Sequence, residues 1–140
     1  MRCFKLCFMW TVLLFFGVTS TFALAGNTDP LFINLTSENS HRSLMAIGFG
    51  LAQQKRGHEV TIFLNDTGVK IASKQYSESY KKQQDLLRQI VADSGKVIVC
   101  PTCMNHYGVK EDDLITGLKK GNPDMTGAQL FKENTKTMAW

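Results

Sequence analysis

The sequence predicts an α/β domain: a small, mostly parallel sheet of four or five strands with helices on both faces. Short apolar runs alternate with segments of helical periodicity, and turn residues separate nearly every pair. The length of 140 residues suits a single core rather than two.

The elements follow in order. Pro30-Leu-Phe-Ile-Asn-Leu-Thr36 is an apolar run that ends in the polar cluster Thr36 to Ser40, as a buried strand feeding a loop and a helix start would. From Arg42 to Arg56, Leu44, Ile47, Gly48, Leu51 and Ala52 recur at the spacing of one helical face. Gly48 and Gly50 are expected to let that helix lie close on a sheet. Gly57 stops it, and His58 to Leu64 is a second strand rich in β-branched and aromatic residues. Asn65-Asp66-Thr67-Gly68 is turn chemistry, Val69 to Lys74 a short helical turn, and Gln75 to Tyr80 a polar surface loop.

Lys81 to Ser94 is helical, with Leu86, Leu87, Ile90 and Val91 on one face and Gly95 as the stop. Lys96 to Cys100 is a third strand, broken by Pro101-Thr102. The pattern then predicts a short helix over Leu114 to Lys120 ending at Gly121, another over Asp124 to Glu133, and a last strand over Thr135 to Trp140. Repeats and low-complexity tracts are absent.

The N-terminus reads as an export signal. Arg2 and Lys5 precede a run from Leu6 to Val18 that is apolar apart from Thr11 and Gly17, and Ala23-Leu24-Ala25 is a small-x-small cleavage pattern. The run is shorter than the roughly 20 residues a spanning helix needs, so no stable membrane span is expected after processing. The expected division is a cleaved signal peptide over 1–25, a domain over 26–140, and a periplasmic location. Of 16 basic and 12 acidic residues, Arg2 and Lys5 leave with the signal, and the remaining charges are mixed along the chain. That is no nucleic-acid footprint.

Four cysteines become two on processing, because Cys3 and Cys7 lie in the signal. Cys100 and Cys103 would close too small a loop to stabilise a fold by cross-linking, so their spacing asks for chemistry. Cys100 follows Val97-Ile98-Val99, at the carboxyl end of a strand, where α/β sheets gather their ligands. Residues Thr102 to His106 can start a helical turn whose free N–H groups point back at the sulfur and favour a thiolate, the nucleophilic form.

Three chemistries compete for the pair. A Cys-x-x-Cys can cycle between dithiol and disulfide, but this one falls after two strand–helix units, whereas thioredoxin-like motifs sit near the first. Cys100, Cys103 and His106 have ligand-like spacing beside Met104, but a tetrahedral site needs a fourth ligand, and His41 and His58 are distant in sequence. The third is sulfur relay, in which a thiolate accepts a sulfane sulfur as a persulfide and passes it on. Haem attachment is excluded because Met104 stands where histidine is required. His106 and Asn105 are auxiliary candidates, and nothing calls for a cofactor or a resident metal. Glu111-Asp112-Asp113 lacks the alternation of a calcium loop and reads as a solvated helix start.

Val97-Ile-Val-Cys100-Pro-Thr-Cys103-Met-Asn-His-Tyr-Gly108-Val109, followed by Asp113-Leu-Ile-x-Gly117, resembles the DsrE/DsrF-like family, and in particular its YchN-like branch. Lys55-Arg56-Gly57-His58-Glu59-Val60 and Phe63-Leu64…Asp66-x-Gly68-Val69 extend the likeness over nearly the whole domain. The resemblance implies a flavodoxin-like three-layer sandwich that assembles into a homo-oligomer, a trimer or hexamer. It implies sulfur relay through the first cysteine of the motif, Cys100, with small sulfur compounds or a sulfur-donor or acceptor protein as partners. Cys103 matches the branch's second cysteine and could resolve a persulfide by forming a disulfide. Familiar relay members are cytoplasmic, so an export signal is a departure.

Overall fold

A computed structural model describes residues 28–140. The expected signal peptide, 1–25, lies outside the described residues, as does the start of the domain expected from residue 26. Five strands form one parallel sheet: β1 (Leu31–Leu35), β2 (Val60–Leu64), β3 (Lys96–Val99), β4 (Lys119–Lys120) and β5 (Lys136–Ala139), in the spatial order β4-β3-β2-β1-β5. The helices are α1 (Ser40–Gln54), α2 (Lys81–Ala92), α3 (Pro101–Tyr107) and α4 (Pro123–Leu130), with 3₁₀ turns at Asp66–Ala72, Lys74–Tyr76 and Glu111–Asp113.

Strand alternation sorts the side chains onto two faces. Leu31, Ile33, Leu35, Val60, Ile62, Leu64, Val97 and Val99 enter the main core with Ile47 and Leu51 of α1 and Leu87 and Ile90 of α2. Phe32, Thr61 and Ile98 are buried on the opposite face, over which Thr126 and Leu130 of α4 help to line a groove of about 530 Å³. The placement follows from handedness. The sheet grows in one direction from β1 to β4, and the chain then doubles back to reach β5. A right-handed crossover in the reverse direction puts its helix on the reverse face.

Gly50 lets α1 press onto the sheet, since a Cβ there would come within 2.9 Å of Ile33 Cδ1 and 3.4 Å of Val60 Cγ1. Gly48 was expected to share this role and does not; a Cβ there would meet nothing within 4 Å.

The helix expected over Leu114 to Lys120 is absent. Leu114 instead forms an antiparallel bridge with Ser73, Ile115 N–H donates to Ala72 O at 2.9 Å, and Lys119–Lys120 form β4 against Ile98 and Val99. Leu114, Ile115 and Leu118 are all buried at a spacing that mimics a helical face. Gly117, at φ 90°, turns the chain out of any helix between them.

Candidate functional site

At the carboxyl edge of the sheet the ladder continues one residue past each strand. Asn65 N–H donates to Leu35 O at 3.0 Å, Cys100 N–H to Leu64 O at 2.9 Å, and Gly121 N–H to Val99 O at 2.8 Å. Cys100 is therefore fixed to the sheet by its own backbone. The residue before a proline is kept out of the helical region, and a proline at the first helical position needs no N–H partner. Cys100 accordingly sits at φ −65°, ψ 116° and caps α3, whose first residue is Pro101. The Cys100 sulfur accepts from Cys103 N–H at 3.5 Å, and Met104 N–H donates to Cys100 O at 2.9 Å. Buried Met104 and Val109 anchor α3 in the core.

Both cysteines are free and half-buried. Burial pushes the Cys103 thiol upward, and its hydrogen bond with Cys100 pushes it further. The Asp66 amide opposes this, while the charges of Cys100 and Asp66 reinforce it. Cys103 thus keeps its proton and can donate it in a hydrogen bond to the Cys100 sulfur. The pair is asymmetric: the Cys100 sulfur accepts from the Cys103 main chain and side chain, while the Cys103 sulfur accepts from the Asp66 amide.

A polar chain flanks the pair. Tyr107 Oη donates to Asp66 Oδ1 at 2.5 Å, a bond that raises the phenol above its ordinary range. Lys70 Nζ lies 5.2 Å from the Tyr107 ring centre and 2.9 Å from Glu38 Oε1. Tyr80 Oη donates to Glu38 Oε2 at 3.0 Å. Thr67 Oγ1 accepts from Glu38 N–H at 3.1 Å and donates to Thr36 O at 3.2 Å, tying the loops after β1 and β2 together. Asn65 Nδ2 donates to Asn34 Oδ1 across β1 and β2.

The sequence candidates divide. Cys100 and Cys103 are brought together. Asn105 and His106 are exposed on α3, and His106 meets the Tyr107 ring edge-on at a centroid distance of 4.7 Å. His58 lies at the opposite edge of the sheet, with Nδ1 2.7 Å from Asp29 O. Among the described residues, no group of three or more His, Cys, Asp and Glu side chains is placed to hold a metal ion. Sequence reasoning treated Asp66 as turn chemistry and passed over Tyr107. The signal that could have found Tyr107 is its place one helical turn after Cys103.

Known proteins resemble this chain in sequence and in fold. The DsrE/DsrF-like family matches residues 31–133. An uncharacterized protein of Methanocaldococcus jannaschii, MJ0989, is 37% identical over 79 residues, which span 56% of this chain and 69% of the relative. A second, MK0008 of Methanopyrus kandleri, is 32% identical over 79 residues, spanning 56% of this chain and 65% of the relative. The crystal structure of the ychN protein from E. coli superposes with a TM-score of 0.66 at 15% identity, covering 81% of this chain and 99% of that one. MTH1491 of Methanobacterium thermoautotrophicum, described as of unknown function, gives 0.64 at 13% identity, covering 79% and 98%. At such identities these two structures speak for the fold, a five-stranded parallel sheet with helices, and the matched span settles the rest: the chain belongs to the DsrE/DsrF-like family.

Proposed function

We propose that this protein is a sulfur-relay protein that carries sulfane sulfur as a persulfide on Cys100. The observation that carries the reading is Cys100 itself: a half-buried sulfur at a strand end, hydrogen-bonded by the first turn of the helix it caps and neighboured by a second thiol that keeps its proton. The Cys100 thiolate attacks the outer sulfur of a donor R–S–SH. The bond between the two donor sulfurs breaks, RS⁻ leaves, and Cys100 holds –S–SH. Transfer to an acceptor thiolate repeats the exchange with the roles reversed. Asn105 and His106, exposed on the helix that Cys100 caps, belong to this reading as auxiliary contacts for a partner. A leader over 1–25 places the relay in the periplasm, and a homo-oligomer, trimeric or hexameric, fits the family.

Purified protein incubated with polysulfide or glutathione persulfide, then weighed intact, is expected to gain the mass of one sulfur atom, and Cys100→Ser to gain none. Absence of the adduct with every donor, or its persistence in Cys100→Ser, removes the reading.

A second reading, a dithiol oxidoreductase or thiol peroxidase, is favoured by the hydrogen bond between the two cysteines. It predicts reversible formation of a Cys100–Cys103 disulfide and turnover with a thiol reductant.

A further inference from the structure

Asp66 and Tyr107 take no part in the exchange just described, yet both lie against the second thiol. Tyr107 follows Cys103 by one helical turn, so the two share a face of α3. Its phenol reaches Asp66 Oδ1 at 2.5 Å, and the Asp66 amide is turned toward the Cys103 sulfur. Asp66 occupies this place at φ 46°, in the left-handed region that residues other than glycine seldom enter. Strain of this kind persists where the surrounding structure over-determines it, and it clusters at functional sites.

We propose that the Tyr107–Asp66 hydrogen bond is a clasp that positions Cys103 as a shielded thiol and holds it back from sulfur carried on Cys100. The proposal rests on the persulfide reading of Cys100. Without the restraint the carrier would empty itself. A Cys103 thiolate, its proton passed to water, would attack the inner sulfur of Cys100–S–SH. A bond would form between the two cysteine sulfurs, the S–SH bond would break, and hydrosulfide would leave with the electron pair. The products are an internal disulfide and free sulfide, so the cargo is lost rather than delivered.

The groups around Cys103 come from three segments. Its own helix and cap supply Cys100 and Tyr107, with His106 edge-on against the Tyr107 ring. The turn after β2 supplies Asp66 and Lys70, and the loop after β1 supplies Glu38, which neutralises Lys70. The Asp66 carboxylate is therefore answered by a phenol rather than by a cation, and it locks the helix that carries Cys103 to the turn that covers it. Burial, the main influence keeping Cys103 protonated, is what the clasp maintains.

The test separates bond from charge. Asp66→Asn keeps an oxygen acceptor for the phenol and removes the charge. Tyr107→Phe keeps the ring and removes the bond. Asp66→Gly removes the side chain at a backbone angle that glycine adopts without strain, so this variant folds. Each protein is loaded with polysulfide and freed of excess reagent, and loss of the added sulfur and formation of the disulfide are followed by intact mass across pH 6 to 9. Alkylation of Cys103 over the same range is mapped by peptide mass, and circular dichroism checks the fold.

Tyr107→Phe and Asp66→Gly are expected to close the disulfide several-fold faster than the unmodified protein and to alkylate Cys103 at lower pH, while Asp66→Asn stays near the unmodified rates. Unchanged rates in folded Tyr107→Phe and Asp66→Gly would overturn the clasp, as would an Asp66→Asn variant as fast as Asp66→Gly. If no protein loads sulfur, the persulfide reading fails, but the Cys103 alkylation profiles still decide whether the clasp exists.

Discussion

The main-chain N–H of Cys103 points at the sulfur of Cys100 across 3.5 Å, so the two cysteines are linked before any covalent chemistry occurs. The link has a structural as well as a chemical side, because the accepting sulfur is also the cap of α3. A serine hydroxyl caps a helix at least as well as a thiol does. Cys100→Ser is therefore expected to unfold within about 1 kcal/mol of the unmodified protein in urea while losing all sulfur loading. Cys103→Ser, which keeps the donating amide, should load as the unmodified protein does. A Cys100→Ser protein that unfolds early would make its lost loading uninformative about chemistry.

Gly68 lies under the end of β1, where an added Cβ would come within 2.6 Å of Leu35 O. The obstacle is backbone, which cannot swing aside as a side-chain tip can. Gly68 N–H also donates to Asn65 O at 2.9 Å, closing the turn that carries Asp66. Gly68→Ala is expected to destabilise the fold by about 1–3 kcal/mol, the range for overpacked sites. Because the strain falls on the turn beside Cys103, alkylation of that thiol should quicken in the same variant. Denaturant unfolding and peptide-level alkylation check the two effects separately.

Much of the scaffold is legible in the sequence for a simple reason. The three central strands are fully apolar on the face that meets α1 and α2, and each is bounded by a breaker, Pro30 before β1, Asn65 after β2 and Gly95 before β3, so local pattern and tertiary burial agree. β4 is not legible. It is two exposed lysines whose extended shape comes from pairing with Ile98 and Val99, and no local propensity marks it. The buried Leu114, Ile115 and Leu118 before it imitate a helix, and only the left-handed turn at Gly117 breaks the imitation. The cysteine pair could be placed from Val-Cys-Pro alone, because a proline after a strand makes its predecessor a cap. The clasp could not, since Asp66 and Tyr107 stand 41 residues apart and meet only through the packing of α3 on the turn after β2.

Glu59 joins three elements at the amino edge of the sheet. Its carboxylate pairs with Lys96 of β3 at 2.6 Å and with Lys132, just beyond α4. The hydrogen bond from Lys132, followed by that from Lys96, holds the carboxyl below its ordinary 4.5. A depressed carboxylate stabilises the fold above its unfolded pKa, and the contribution disappears as pH falls through the folded value. Glu59→Gln is expected to lower stability at pH 7 by up to about 1 kcal/mol, since the group is partly exposed and screened. At pH 3 the difference should shrink. Equal differences at both pH values would show that packing, rather than charge, is what the glutamate supplies.

The Tyr80 phenol behaves in the opposite sense. Burial first, then its hydrogen bond to Glu38, push it from an ordinary 10.0 up to about 12. In the unfolded chain the phenol ionises at the lower value, so between these limits the unfolded state holds fewer protons than the folded one. Stability must then fall as pH rises through that window, after being fully present below it. Tyr107, raised by its bond to Asp66, adds a slope of the same sign, so Tyr80→Phe should make the alkaline decline shallower without abolishing it. Absorbance titration of the phenols against the melting temperature of the two proteins would show this directly. If Tyr80→Phe declines as steeply as the unmodified protein, burial and Glu38 do not hold the phenol in its neutral form, and the loop after β1 is fixed by the Glu38–Lys70 pair and the Thr67 hydrogen bonds without it.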